Sequence, residues 1–299
     1  MSSNPILDEL LVRPGKKAKL HHRDTSWAFT DELKETGKDQ LKVTAQTLLA
    51  QNRAELAQAQ DVLYAASSHA ILIVLQALDA GGKDGTIKHV MSGVNPQGCR
   101  VSSFKQPSAE ERSHNFLWRY SRELPARGMI GIFNRSYYEE VLVVRVHPEL
   151  LGVDQPASPK KAEKFWQARF EDINAFEQHL CRCHTTVLKF FLHMSRDEQR
   201  RRLLERLDDP DKHWKFSPSD LAERARWNDY MDAFEDAITA TSTEWAPWYV
   251  VPADHKWVAR TAVAAVVARA IHDLGLEYPT VGPEKEAALQ EARKQLQAE

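Results

Sequence analysis

The sequence predicts an α/β fold, a parallel sheet with helices on both faces, and three observations carry that expectation. Short apolar runs recur at steps of roughly 30–60 residues: I-L-I-V-L-Q-A-L from Ile71, M-I-G-I-F from Met129, T-V-L-K-F-F-L from Thr186 and A-P-W-Y-V-V-P from Ala246. Runs of this kind, apolar throughout rather than alternating, suit strands buried on both faces. Long amphipathic stretches lie between them, as crossovers in a parallel sheet require. The first run leads directly into D-A-G-G-K-D-G-T, a glycine-rich turn with the start of a helix behind it.

In chain order, residues 1–30 read as an irregular arm, with a turn at Pro14-Gly15 and a basic patch of Lys16, Lys17, Lys19, His21, His22 and Arg23. The adjacent histidines lack a spaced third ligand, so a surface arm explains them better than a metal does. Thr30 to Ala66 reads as a helix, with Thr30 as its N-cap and Leu41, Leu48, Leu49, Leu56 and Leu63 near helical spacing. The first strand follows, then a helix over about Thr86 to Met91. A second strand is expected at R-V-S-S-F, and then a helix capped by Ser108 with Glu111 as capping-box partner, running to Leu124. M-I-G-I-F is the third strand and delivers Asn134-Arg135-Ser136 at its C-terminal end, where open α/β sheets carry their ligand-binding groups. V-L-V-V-R-V favours a strand by propensity, but the crossover needed after strand three favours a helix from Tyr137 to Val146. Pro159 to Cys183 is helical, T-V-L-K-F-F-L is strand four, and Ser195 to Thr243 is a charged helical region interrupted near Asp209-Pro210. A-P-W-Y-V-V-P is strand five, Ala253 to Leu274 the last core helix, and Glu284 to Glu299 a polar terminal helix.

At 299 residues the chain is long enough for one large domain, and its net charge of −2 provides no global field for nucleic acid. Three cysteines without a CxxC pair fit a reducing compartment. No apolar run approaches the ~20 residues that span a bilayer, and the N-terminus lacks a signal-peptide core. A cytoplasmic protein with neither membrane nor nucleic-acid partner is expected.

Two constellations carry chemistry. In the first, a buried strand runs into a glycine turn, a lysine and a helix, which together have the physical content of a P-loop. Backbone N–H groups close on an anion, Lys83 adds a point charge, and the helix N-terminus faces the same place. The strict G-x-x-x-x-G-K-[ST] pattern is broken by Ala77 and Asp84, with Thr86 two residues beyond. Asp79, a carboxylate inside a phosphate loop, makes sense if a metal ion separates the two charges. The parallel sheet would bring Arg135 beside the loop, where its planar fork suits phosphate oxygens. An ordinary strand-to-helix turn with a surface lysine remains the plain alternative. The second constellation, between Ser195 and Trp227, gathers Arg196, Arg200, Arg201, Arg202, Arg206, Lys212, His213, Lys215, Arg224 and Arg226. It reads either as a solvated face or, because Trp214 and Trp227 lie among the charges, as a lid over a polyanion.

The runs L-D-A-G-G-K-D-G-T, S-F-K-Q-P-S-A-E-E-R-S-H-N-F-L-W-R, I-G-I-F-N-R-S-Y-Y-E-E-V-L-V-V-R-V-H-P and D-P-D-K-H-W-K-F-S-P-S-D with A-P-W-Y-V-V-P-A-D-H-K resemble the polyphosphate kinase 2 family over roughly residues 10–275. That resemblance implies a P-loop kinase-like three-layer α/β/α sandwich with a parallel central sheet and a helical lid (about 196–230). It divides the chain into an arm (1–30), a phosphotransferase domain (31–275) and a polar C-terminal helix (276–299). It implies Mg2+-dependent phosphoryl transfer between inorganic polyphosphate and AMP, ADP or ATP. Mn2+ is the alternative metal, guanine nucleotides are further candidates, and the assembly is a homodimer or homotetramer.

The same resemblance makes Asp79, Lys83 and Arg135 catalytic. Ala80, Gly81, Gly82, Asp84, Gly85, Thr86, Arg200, Arg201, Lys212 and Lys215 fall to phosphate binding, and Asn134, Glu139, Lys105 and Arg119 to the nucleotide. Asp79 and Asn134 would hold the metal. Many relatives have Asp-Arg where Asn134-Arg135 stands, and the Asn form with Glu139 looks like the class III branch, which accepts both AMP and ADP. His114-Asn115 stands where relatives often have His-Asp. A conventional ATP-dependent P-loop kinase and a non-catalytic polyanion binder are the rival readings.

Overall fold

Every residue from Ala70 to Gln76 is buried, and this strand (β2) lies inside a six-stranded sheet. The computed structural model describes residues 5–26 and 37–299. The remaining strands are β1 (Leu11–Val12), β3 (Cys99–Ser103), β4 (Ile130–Asn134), β5 (Thr185–His193) and β6 (Trp248–Pro252), in the order β1-β6-β5-β2-β4-β3. Neighbours pair in parallel except β1 with β6.

Side chains alternate across β2, which splits the core into two layers. Ile71, Ile73 and Leu75 face Leu56 and Leu63 of α2 (Lys38–Ala66) and the apolar side of α11 (Lys256–His272). Leu72 and Val74 face Phe170 and Ile173 of α7 (Pro159–Arg182) and Phe234 and Ile238 of α10 (Trp227–Thr241). This is the expected three-layer sandwich. No described helix is long and apolar enough to cross a membrane.

The five expected strands are present, and the differences are local. The arm is not irregular throughout: α1 (Pro5–Leu10) leads into β1, which pairs antiparallel as Leu11↔Tyr249 and Val12↔Trp248. A two-residue strand has too few positions to show a period. Arg23, placed by sequence in a surface patch, instead donates to the carbonyls of Glu9, Leu10, Leu11 and Ala18. The expected N-cap at Thr30 lies outside the described residues. Helix α3 begins at Lys83 and runs to Val90, earlier than expected, because Gly82 at φ 95 turns the chain directly into it.

The capping box at Ser108 forms, but its helix α4 (Ala109–Ser113) stops when His114 turns extended. The Asn115 side chain accepts from Leu117 N and restarts the chain into α5 (Trp118–Ser121), an example of local side-chain bonding winning over helix continuation. Tyr137–Glu140 is a 3-10 turn and Val143–Val146 a single helical turn, α6, so the region is helical as expected but broken. The charged region resolves into α8 (Arg196–Asp208), a 3-10 turn (Pro210–Lys215), α9 (Ser219–Ala225) and α10. Helix α12 (Pro283–Gln297) is exposed along its whole length.

Candidate active site

The site forms where the order of the sheet reverses, at the carboxyl ends of β2 and its neighbour β4, the general position of ligand sites in open α/β sheets. Leu75 is in register with Asn134, and Arg135 N donates to Leu75 O at 3.2 Å. Past Gln76 the chain bends sharply. Gly81 N donates back to Leu78 O at 3.0 Å, and a Cβ on Gly81 would sit 2.5 Å from the Ala77 Cβ, so no side chain fits there. Ala80 is left-handed at φ 60, a conformation that costs a residue with a Cβ about 1–2 kcal/mol. The turn delivers Lys83 at the first position of α3, whose first-turn N–H groups have no acceptor within the helix.

Lys83 is half-buried, and its Nζ donates to Ala77 O at 2.8 Å across the base of the loop. Burial pushes the ammonium down to about 8; the Arg135 charge adds to this, and Asp79, Glu139 and Asp84 oppose it. Thr86 is buried, with its N–H on Gly82 O at 2.9 Å. Gly85 faces the Arg260 guanidinium, and Asp84 is exposed.

Arg135, also left-handed at φ 66, donates Nη2 to Asp79 Oδ1 at 2.9 Å and Nη1 to Glu139 Oε2 at 3.0 Å. Glu139 and then Asp79 hold its guanidinium above the ordinary range, so its charge is permanent. Asn134 donates Nδ2 to Asp84 Oδ1 at 2.7 Å. The sequence-derived set Asp79, Lys83, Asp84, Asn134, Arg135 and Glu139 therefore converges on one place.

The turn that carries Arg135 is anchored in the core. Tyr137 and Tyr138 both donate to Glu177 Oε1 at 2.9 Å, and Lys189 Nζ donates to Glu177 Oε2 and Thr241 O, each at 2.6 Å. Lys189 and Glu177 are fully buried. Burial of an ion pair is tolerated when further hydrogen bonds satisfy both ends, as here.

The remaining expected residues are more dispersed. Arg200 is largely exposed and lies 3.7 Å from Asp197, whereas Arg201 is shared between Glu198 and Glu205. Lys212 pairs with Asp209 at 2.7 Å, and the Lys215 ammonium lies over the Trp214 ring. Arg119 donates to Lys105 O at 3.0 Å, sits 3.2 Å from Glu111 and stacks over Phe104 and Tyr120, which makes it a fixture of the chain beyond β3.

Gln199, Glu223 and Tyr230 were not singled out from sequence, and Arg202, Arg224 and Trp227 were read there only as parts of the charged lid. Gln199 and Arg202 of α8 donate to the carbonyls of Asp79 and Ala80 at 3.0 and 3.1 Å. Glu223, Arg224, Trp227 and Tyr230 line a small cavity of about 30 Å³ together with Asp79, Arg135 and Glu139. Glu223 accepts from Tyr230 at 2.6 Å and is 2.9 Å from His147 Nε2, a histidine–carboxylate pair that sequence spacing does not reveal. Gln199, Arg202, Leu203 and Arg206 share one helical face; two of these are buried polar residues, which a search for apolar periodicity passes over.

A phosphate loop on a parallel sheet, with a carboxylate and an arginine converging from two strands, defines a P-loop kinase-like phosphotransferase. A model of the family Polyphosphate kinase 2 matches residues 39–277. The chain is 52% identical over 242 residues to the "ADP-polyphosphate phosphotransferase" of Rhodopseudomonas palustris, covering 81% of this chain and 84% of that protein. It is 46% identical over 238 residues to the "AMP/ADP-polyphosphate phosphotransferase" of Meiothermus ruber, covering 80% and 85% respectively. The crystal structure of polyphosphate kinase 2 from Arthrobacter aurescens TC1 superposes with a TM-score of 0.83 at 40% identity, over 96% of each chain. The chain belongs to the polyphosphate kinase 2 family.

Proposed function

We infer that this chain transfers the terminal phosphoryl group between inorganic polyphosphate and nucleotides, making ATP from ADP and ADP from AMP, in both directions. The observation that carries the reading is the convergence of Lys83, Arg135 and Asp79 at two adjacent strand ends beneath a cationic helical segment. The printed names of the two relatives, one an ADP and one an AMP/ADP enzyme, support the choice of acceptors.

Phosphoryl transfer through a loose, in-line transition state asks the protein for positioning and for charge stabilisation. An acceptor phosphate is already ionised near neutral pH, so no general base is needed. Lys83 and the first-turn amides of α3 hold the phosphates of the donor. Arg135, fixed by Glu139 and Asp79, meets the charge that develops on the transferred group. Arg200 stands exposed on α8, where a long polyanion can reach it.

Among the described residues, no three His, Cys, Asp or Glu side chains form a metal cluster. A Mg2+ ion does not require one, because it keeps waters and takes one or two carboxylates plus substrate phosphates. Asp79 suits that role: Arg135 occupies only Oδ1, and among the described residues nothing bonds Oδ2. Asn134, whose amide nitrogen is committed to Asp84, retains its carbonyl oxygen for the ion's water shell. When bound, the ion would neutralise phosphate charge between donor and acceptor.

The deciding assay supplies polyphosphate and Mg2+ with ADP or with AMP. ATP should form from ADP, and AMP should yield ADP first and ATP later. Phosphorylation that needs ATP and ignores polyphosphate would assign the chain to conventional kinases. Salt-sensitive polyphosphate binding without turnover would make it a binding protein.

A further inference from the structure

We propose that Gln199 and Arg202 are positioning residues: from the buried face of α8 they hold the peptide groups of the phosphate loop in their working orientation, and Gln199 ties that orientation to Arg224 of α9. The proposal rests on the phosphotransfer reading for its effect on turnover, but its geometric content stands independently of that reading.

The two donors lie three residues apart on α8 and are almost fully buried, at 2% and 5% exposure. Gln199 Nε2 donates to Asp79 O at 3.0 Å, and Arg202 Nη1 to Ala80 O at 3.1 Å. The acceptors are consecutive carbonyls around a left-handed alanine, the point at which a loop of ordinary residues would relax. Among the described residues, the bonds made within the loop are Gly81 N to Leu78 O, Thr86 N to Gly82 O and Lys83 Nζ to Ala77 O. Two side chains from a distant helix add bonds to the carbonyls of Asp79 and Ala80, which the bonds within the loop leave free.

Both donors are themselves held. Arg202 donates Nε to Glu198 at 2.6 Å and Nη2 to the carbonyls of Ala253 and Asp254, so its guanidinium joins α8 to the end of β6 as well as to the loop. Gln199 Oε1 accepts Arg224 Nη1 at 3.0 Å, and the same nitrogen also donates to Arg196 O. That bond settles which end of the Gln199 amide faces the loop: the oxygen is committed to Arg224, so the NH₂ must be on Asp79 O. A rotation of the peptide between Asp79 and Ala80 would swing the Asp79 carboxylate off Arg135 and re-aim the N–H groups that follow. Small displacements of this kind can cost about 10²-fold in rate.

The test uses the full chain and two variants. Gln199→Met keeps the length of the side chain and removes both bonds. Gln199→Glu keeps an oxygen for Arg224 and removes only the donor to the loop. Hydrogen exchange at the Gly81 and Thr86 amides, read without substrate, should speed up about tenfold in both variants, with melting temperature within about 3 °C of native. With polyphosphate and ADP, kcat should fall about 10- to 100-fold while both KM values stay within about threefold. Arg202→Lys, which retains a cationic donor, should recover most of the kcat that Arg202→Met loses. Unchanged exchange at Gly81 and Thr86 in both glutamine variants would overturn the proposal whatever the activity, and so would a kcat loss that merely follows a fall in melting temperature. A native chain with no turnover from polyphosphate would instead remove the phosphotransfer reading, and the exchange measurement would still judge the brace.

Discussion

Ala80 and Arg135 follow the two adjacent strands, β2 and β4, whose ends form the candidate site, and both adopt a left-handed backbone that costs a side chain about 1–2 kcal/mol. They are stabilised in different ways. Arg135 is followed by Ser136, Tyr137 and Tyr138, all buried, and the two tyrosines run into the Glu177–Lys189 pair inside the sandwich. Ala80 has no such root among the described residues: it and Asp79 are half-buried, and the bond that fixes its carbonyl comes from Arg202 of α8, which belongs to a separate charged segment. The arginine is therefore placed by the core and the loop by the segment that covers it. One side of the site is preset, and the other depends on where α8 sits.

Cutting the root of the Arg135 turn should have the largest effect. Lys189→Met leaves Glu177 buried without its cation, a loss of about 3–5 kcal/mol. A fall in melting temperature of about 10 °C is expected in thermal denaturation, with much of it recovered when Glu177→Leu is added. A melting temperature close to native would mean that the network does not anchor the turn.

On the other side, Lys83→Ala should lower kcat by ~10²–10³ without lowering the melting temperature, because removing a preorganised cation costs rate while its desolvated ammonium adds little to the fold. Activity within about threefold of native would take Lys83 out of the site. The same lysine sets a pH limit. Its ammonium, pushed down to about 8 by burial, is charged below that pH and loses its proton as pH rises through it. The free enzyme then loses a cation, so kcat/KM for polyphosphate should decline above about pH 8. Bound phosphate favours the charged form, so kcat at saturation should persist to higher pH. A kcat/KM that is flat from pH 7 to 10 contradicts this.

The smallest effect separates neighbouring arginines on α8. Arg200→Gln should raise KM for long polyphosphate a few-fold, in line with the ~0.2–1 kcal/mol of an exposed ionic contact. Arg201→Gln should do less, since Arg201 is already taken by Glu198 and Glu205. Equal effects would show that the carboxylates do not shield it.

Much of this was legible in the sequence, and what was missed has a common cause. Continuous burial marks a parallel strand, so β2, β4, β5 and β6 announce themselves, and with them the meeting of Asp79 and Arg135 at two strand ends. The glycine turn was legible because Gly81 has no room for a Cβ and Gly82 is left-handed. The brace from Gln199 and Arg202 was not, because it runs from side chain to backbone across 120 and 122 positions and leaves no periodic trace. The Glu177–Lys189 pair was equally hidden: a lysine within T-V-L-K-F-F-L reads as a blemish in a strand until its partner on α7 is seen. Arg119 and Lys105, assigned to the nucleotide by resemblance, are joined to each other and to the chain beyond β3, which spacing alone does not tell.

The two-residue strand β1 closes one edge of the sheet. By pairing Leu11 and Val12 with Tyr249 and Trp248, it covers the outer hydrogen-bonding edge of β6, an apolar strand that would otherwise end the sheet. An uncovered edge of that composition is a template for another chain to add itself, and natural sheets cover or charge such edges to prevent it. Because β1 precedes and β6 follows every other strand of the sheet in the chain, β1 is already made when β6 emerges, and this edge can be covered as soon as it exists.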